Sequence, residues 1–310
     1  MTWTNHSVSD DVWLIANPLA GGGRAIRHAS LAARYLTRAG IAVRMLHPSS
    51  PEESTRAAAA AREVGARAVL ACGGDGTVHS VLQALVGGSV PLGVLAAGSG
   101  DDIAASLGFD TGSSESSAGE AVQLIAGGGH RQVDVGEIDT ADGTRRYFVG
   151  VLTTGFDSSV NERANRMPRL AGQRYNAALV RELASFRPLA YRVRMDDELV
   201  EDEGTLVTIG NGSLYGGGMR ICPDALPDDG LLDVTWLGAV TKPTLLRVFP
   251  TVYSGRHVEH PAVQTYRARS LEIEAPGQVA YADGERVGDL PIRVSIRPAA
   301  LRVLGPALTT

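Results

Sequence analysis

Three glycine-rich segments, each set directly after a short apolar run, constrain this chain of 310 residues more than any other feature. They are Asn17-Pro18-Leu19-Ala20-Gly21-Gly22-Gly23, Gly73-Gly74-Asp75-Gly76-Thr77 and Ala97-Gly98-Ser99-Gly100-Asp101-Asp102. The runs before them, residues 12–16, 68–72 and 91–95, have the length of strands, and residues 41–46 add another. Segments with helical period fall between, at 24–37, the alanine-rich 52–64, 78–86 and 101–107. Strands that alternate with helices predict a parallel sheet. Ligands bind such sheets beyond the carboxyl ends of the strands, where all three loops fall. The 37 glycines follow no collagen period, so they read as turns and close approaches of backbone to a ligand.

Charge and cysteine content narrow the function. Lysine and arginine number 29 against 34 acidic residues, a formal charge of −5, which excludes a general nucleic-acid binder because phosphate-backbone affinity needs clustered positive charge. Lys242 is the only lysine, so a Walker-type loop lacks its lysine here. Cys72 and Cys222 have no metal or disulfide spacing, as expected for a reduced, cytoplasmic setting. The first 11 residues lack the basic and apolar regions of a secretion signal. No window approaches the roughly 18 apolar residues of a membrane span, and contact with a membrane surface stays open.

Beyond a Gly-, Ser- and Ala-rich stretch with a short helix at 118–125, the pattern changes. Residues 133–138, 147–152, 191–195, 205–210, 231–237, 271–274, 279–283 and 292–296 read as strands without regular helices between them, predicting a mostly antiparallel second domain. Residues 158–186 and 242–253 read as helical, and a last strand at 300–304 is a candidate to return to the first domain. The expected division is 1–132, joined by 298–310, and 133–297.

The segment Gly73-Gly74-Asp75-Gly76-Thr77 follows a strand and opens a helix, so its amides and the helix N-terminus suit phosphate, while Asp75 suits a metal or a ribose hydroxyl. Asp75 or Thr77 as a plain helix cap is the alternative. Asp283-Gly284 is a hairpin-turn signal, and Asp228-Asp229-Gly230 reads equally as a solvated turn or an oxygen-ligand loop.

The ordered set resembles the diacylglycerol and sphingosine kinase superfamily. Asn17-Pro18 before a glycine run, the GGDGT pentapeptide and Gly98-Ser99-Gly100-Asp101-Asp102-Ile103-Ala104 match its nucleotide-binding domain. Asn211-Gly212, Gly216-Gly217-Gly218, the segment from Cys222-Pro223-Asp224-Ala225 to Asp229-Gly230-Leu231-Leu232-Asp233, and Tyr281-Ala282-Asp283-Gly284-Glu285 resemble signatures of its bacterial members. GGDGT-like pentapeptides also occur in NAD kinases and phosphofructokinases, and the later segments fit NAD kinase poorly.

The resemblance implies an N-terminal Rossmann-like domain of NAD kinase and diacylglycerol kinase type, an antiparallel β-sandwich-like domain, and an active site in the cleft between them. It implies an ATP-dependent lipid kinase, with ATP at Asn17, Gly73, Gly74, Asp75, Gly76, Thr77 and Ser99. Glu285 would be the general base. Asp283 would help hold a catalytic Mg²⁺ with Asp75, and a second Mg²⁺ would sit at the Leu226 carbonyl, Asp229 and the Leu231 carbonyl. Such parts suit phosphoryl transfer, which needs positioned phosphates, hard cations and a carboxylate to orient the nucleophile. The expected acceptor is diacylglycerol at a membrane surface. A sphingoid base, phosphatidylglycerol or an isoprenoid alcohol are alternative acceptors. Homodimers are frequent in the superfamily.

Three positions depart from the family pattern: Asp101 for asparagine, Ala96 for proline and His79 for asparagine. Asp101 and Ala96 motivate the opposite reading, a nucleotide-binding regulator without transfer activity. A carboxylate at 101 repels phosphate unless a cation compensates, and Arg24, Arg27 and Arg62 are the candidates. His79 reads as packed and Cys72 as buried. Six arginines from Arg163 to Arg187 among apolar residues read as a surface helix with a core stripe, or as a basic membrane-facing helix.

Overall fold

The computed structural model describes residues 10–166, 181–183 and 187–305. Most of the arginine-rich segment 163–187 lies outside the described residues. The chain forms two compact units, one of Met1–Val135 with Pro298–Thr310 and the other of Gly136–Arg297.

The first unit is built on the apolar runs. Strands β1 (Val12–Ala16), β2 (Val43–Leu46), β3 (Ala68–Gly73) and β4 (Leu92–Ala96) pair in parallel in the order β2-β1-β3-β4. All residues of β1, β3 and β4 are buried, the signature of a sheet covered on both faces. Helix α1 (Arg24–Arg38) buries one face through Ala25, Ala29, Ala32 and Leu36. Helix α2 (Pro51–Glu63) starts where the Ser50 hydroxyl accepts from the Glu53 amide at 3.2 Å, with Pro51 at a position whose amide needs no helical partner. Helices α3 (Asp75–Leu85), α4 (Asp102–Ser106) and α5 (Ser114–Gly127) complete the unit.

Strand β5 (His130–Thr140) carries the chain into the second unit, and the last strand, β15 (Ile292–Leu304), carries it back. Residues 292–296 and 300–304 are thus one strand, with Val303 beside Leu92 of β4. Pro298 hides the continuity in the sequence. Ala299 bulges there at φ 53°, and its amide donates to the buried Asp134 carboxylate at 2.7 Å.

In the second unit β6 (Arg145–Phe148) pairs with β5, and β7 (Val151–Gly155) leads into α6 (Phe156–Arg166). The sequence reads 147–152 as one strand, but it breaks at Val149 and Gly150. Antiparallel strands β8 (Leu189–Met195) and β9 (Glu198–Gly210) follow, then β10 (Leu232–Gly238), β11 (Val263–Ala268), β12 (Ser270–Glu274), β13 (Val279–Ala282) and β14 (Glu285–Asp289). Polar-rich β11 and the short, glycine-bearing β14 lack a clear alternating signal. The long β9 serves two layers: its first half pairs with β8 and its second half lies between β7 and β10, the bend of a β-sandwich-like fold.

The core between the layers holds Phe148, Tyr191, Val207, Trp236, Ile273 and Val294. Trp236 meets Tyr191 edge to face, with centroids 5.5 Å apart. Trp236→Ala is expected to cost about 3–5 kcal/mol, read as a lower urea midpoint in equilibrium unfolding.

Candidate functional site

Each unit carries one set of groups. In the first, the amides that open α3 lie at the carboxyl end of β3, and Gly74 is the helix cap with no side-chain bond. Neither Asp75 nor Thr77 therefore caps its own helix. The Asp75 Oδ1 accepts instead from the Ile103 amide at 2.9 Å, tying the loop after β3 to α4. Asn17 is fixed by the Leu19 amide, which donates to its Oδ1 at 2.9 Å, while its Nδ2 donates to the Thr77 hydroxyl at 3.4 Å. The third loop lies against the second: a Cβ on Gly98 would stand 2.5 Å from the Gly74 Cα and 2.6 Å from Asp101 Oδ1, so only glycine lets these backbones meet. Ser99 stands exposed beside this contact. The seven predicted nucleotide-binding residues thus lie at the carboxyl ends of β1, β3 and β4, on the loops there and in the first turn of α3.

The departures from the family pattern acquire physical reasons. Asp101 occupies the left-handed region at φ 58°, and its Oδ1 accepts from the Gly98 amide at 2.8 Å. Burial raises its pKa, while the Gly98 amide and the Arg24 guanidinium oppose the rise. Arg24 donates to the Gly98 carbonyl, so of the three arginines considered it is one placed at this loop. Arg62 is committed elsewhere, to the Ala84 and Val86 carbonyls at 3.0 and 3.1 Å. Buried His79 packs with Gln83, whose amide donates to the His79 carbonyl at 3.1 Å. Burial pushes the Cys72 thiol up to about 12, which leaves it inert at neutral pH.

In the second unit Asp283 and Gly284 form the two-residue turn of the β13–β14 hairpin, at φ 52° and 83°. The turn reading is right as far as it goes. The Asp283 carboxylate is also buried, accepting from the Gly150 amide at 2.9 Å and the Val149 amide at 3.3 Å. Those amides sit at the break between β6 and β7. Buried Asn211 braces the same break: its Nδ2 donates to the Val149 carbonyl at 3.1 Å and its backbone amide to the Gly150 carbonyl at 2.9 Å. The sequence shows Asn211-Gly212 as a motif without a role, and the structure supplies one. Glu285 follows the turn at the start of β14, exposed.

The loop holding Leu226, Asp229 and Leu231 closes on itself. Asp229 Oδ1 accepts from the Leu231 amide at 3.0 Å and its other oxygen meets Arg267, which also approaches Asp233 at 3.5 Å. Burial raises the Asp233 pKa; Arg267 lowers it, while Asp229 and Asp224 add to the rise.

One feature has no mark in the sequence. A small apolar cavity of about 50 Å³ lies within the second unit. Phe156, Leu206, Met219, Leu245, Phe249 and Val252 are among its lining side chains. Polar groups in the wall are turned to protein partners: Thr208 Oγ1 donates to the Thr235 carbonyl at 3.3 Å, and Thr235 Oγ1 to the Ile221 carbonyl at 2.9 Å. Burial lowers the pKa of His257, which keeps its ring neutral against the Ile221 carbonyl. On one side Tyr215 donates to Asp157 Oδ2 at 2.9 Å, and Asn161 Nδ2 donates to the Tyr215 hydroxyl at 2.9 Å.

The fold is thus an α/β unit with glycine-rich loops at the carboxyl ends of its parallel strands and a β-sandwich-like unit that contains an apolar cavity. Residues 11–138 match the family model "Diacylglycerol kinase catalytic domain", and residues 150–305 match "YegS C-terminal NAD kinase beta sandwich-like domain". A protein of Mycobacterium tuberculosis (strain CDC 1551 / Oshkosh) named diacylglycerol kinase is 40% identical over 298 residues, 95% of each chain. A crystal structure of a diacylglycerol kinase from Bacillus anthracis str. Sterne shares the fold, with a TM-score of 0.71 at 21% identity over 96% of this chain and 97% of that one. The chain belongs to the diacylglycerol kinase and YegS family of lipid kinases, and is an ATP-dependent lipid kinase.

Two outcomes are expected. Gly98→Ala should weaken ATP binding about tenfold or more, ~1.4 kcal/mol, by calorimetric titration, because the loops must part. Asp101→Asn should melt at a higher temperature than the parent at neutral pH. The raised pKa means that the folded state holds the Asp101 proton more tightly than the unfolded state, so the penalty exists above the folded pKa and vanishes below the ordinary carboxylate value. The gap between the two melting temperatures should therefore close as pH falls through that range.

Proposed function

We propose that the acceptor is diacylglycerol, so that transfer of the γ-phosphoryl group of ATP yields phosphatidic acid and ADP. The observation that carries this reading is the 40% identity, over 95% of each chain, to a protein named diacylglycerol kinase. The small apolar cavity favours part of a hydrocarbon chain over a hydrophilic group, because the polar groups in its wall are bonded to protein partners.

Asn17, Gly73, Gly74, Asp75, Gly76, Thr77 and Ser99 are assigned to ATP. Glu285 is assigned as general base, taking the proton of the acceptor hydroxyl as its oxygen attacks the γ-phosphorus and the bond to the β-phosphate oxygen breaks. Asp283 is assigned to Mg²⁺ together with Asp75. The two amides that orient Asp283 and the hard carboxylate oxygens are compatible with that ion. When bound, Mg²⁺ neutralises charge that develops on the transferred group. The Leu226 carbonyl, Asp229 and the Leu231 carbonyl are assigned to a second Mg²⁺. A homodimer working at the cytoplasmic face of a membrane fits this reading.

The test is labelled phosphate transfer from ATP with Mg²⁺ to a panel of micellar lipids, run beside Glu285→Gln. Transfer to diacylglycerol is expected, with kcat lower by about 10²–10⁴ in the variant and ATP affinity retained. Transfer only to a sphingoid base, phosphatidylglycerol or an isoprenoid alcohol would overturn the acceptor. An unchanged rate in the variant would overturn the base.

A further inference from the structure

The segment that closes the apolar cavity has two apolar faces. Residues 242–254 form a helix (Lys242–Val248) that passes into a 3-10 turn (Phe249–Ser254), where Pro250 removes an amide from the ladder. Leu245, Val248, Phe249 and Val252 face inward and line the cavity. Pro243, Leu246, Pro250 and Tyr253, three or four positions apart, form a second stripe that is exposed to water. Leu246 is 57% exposed and Tyr253 53%, which no packing within the described residues accounts for.

Cations flank the outer stripe in a chain that is acidic overall. Lys242, the only lysine of the sequence, and Arg247 lie exposed on the helix, and Arg256 follows it. Arg220 adjoins them, since its amide donates to the Val252 carbonyl at 3.0 Å. The segment carries no carboxylate, and the next one along the chain, Glu259, pairs with Arg256 at 3.5 Å. The neighbouring Asp229 and Asp233 are taken up by Arg267. An exposed apolar stripe edged by cations is complementary to a bilayer with anionic headgroups: the side chains enter the acyl boundary while the cations meet phosphate. A tyrosine suits the boundary, because its ring is apolar and its hydroxyl polar.

We propose that the outer face of residues 242–254 docks the enzyme on an anionic phospholipid bilayer. Docking there sets the wall of the chain-holding cavity against the acyl layer, and a lipid chain passes from one apolar surface to the other with little exposure to water. The proposal rests on the reading of the cavity as the seat of an acceptor chain only for this last step; the docking is read separately.

Sedimentation of the full chain with vesicles tests it, using phosphatidylcholine alone and phosphatidylcholine with about a third phosphatidylglycerol. The parent is expected to sediment with the anionic vesicles, and less so as salt is raised. Leu246→Ser with Tyr253→Ser, and separately Lys242→Glu with Arg247→Glu, should each weaken that binding about tenfold or more. Both pairs are exposed, so melting temperatures should stay close to the parent's, and phosphorylation of a short-chain acceptor dispersed in detergent should be retained. Equal vesicle binding by parent and variants would overturn the proposal. So would a parent dimer that the Leu246→Ser, Tyr253→Ser variant dissociates without any loss on vesicles, since the stripe would then be a contact between two copies. Vesicle binding needs no turnover, so failure of the acceptor assignment leaves this result readable.

Discussion

Backbone amides that leave a ladder inside a folded protein must find acceptors, and in this chain aspartate carboxylates supply them where the loops bend. Asp283 takes the Val149 and Gly150 amides, Asp75 the Ile103 amide, Asp101 the Gly98 amide and Asp134 the Ala299 amide. These are short side chains with one dominant geometry each, so a bend held in this way has little freedom. The predicted catalytic and nucleotide-binding residues stand on or next to those bends. Two of these carboxylates, Asp75 and Asp283, are both architectural and assigned to the proposed chemistry. That sharing explains why two aspartates, Asp101 and Asp283, tolerate left-handed backbone, which other side chains adopt at a cost of about 1–3 kcal/mol.

The glycines complete the same logic from the other side. Beside the Asp101 carboxylate, two loops are joined by direct backbone approach, at Gly74 and Gly98. The sheet beneath is rigid because β1, β3 and β4 are buried throughout, so the loops at its edge inherit a fixed spacing. Arg24, reaching from the start of α1 to the Gly98 carbonyl, brings positive charge to a loop that carries Asp101 and Asp102. The carboxylate that departs from the family pattern is thus offset by a neighbour that local sequence does not place, because helix rotation and arginine reach are set only by packing.

The parallel unit was legible in sequence because buried strands are continuous apolar runs and helices alternate with them at regular length. The ordered motifs named the family for the same reason that they are motifs: each is a local backbone shape that needs particular residues. What failed to show was non-local. The break at Val149 and Gly150 carries no turn residue except one glycine, and it exists because Asp283 and Asn211, far along the chain, claim its amides and carbonyls. β15 looked like two strands because the proline within it is accommodated by a bulge fastened to Asp134. The cavity left no trace at all, since the residues that line it are ordinary core residues and only their spacing in three dimensions leaves space.

The return of β15 to β4 has a consequence for how the polypeptide is made. The N-terminal unit owns its glycine loops and most of its sheet early, but Val303 supplies the strand beside Leu92 only after the whole second unit has been synthesised. Until then β4 presents an open edge, the kind of surface that recruits other strands. Assembly on the ribosome therefore cannot proceed strictly from first unit to second. The nucleotide-binding half waits for the other half to be made before its sheet is closed, so a chain truncated before residue 300 lacks the finishing strand of the unit it began with.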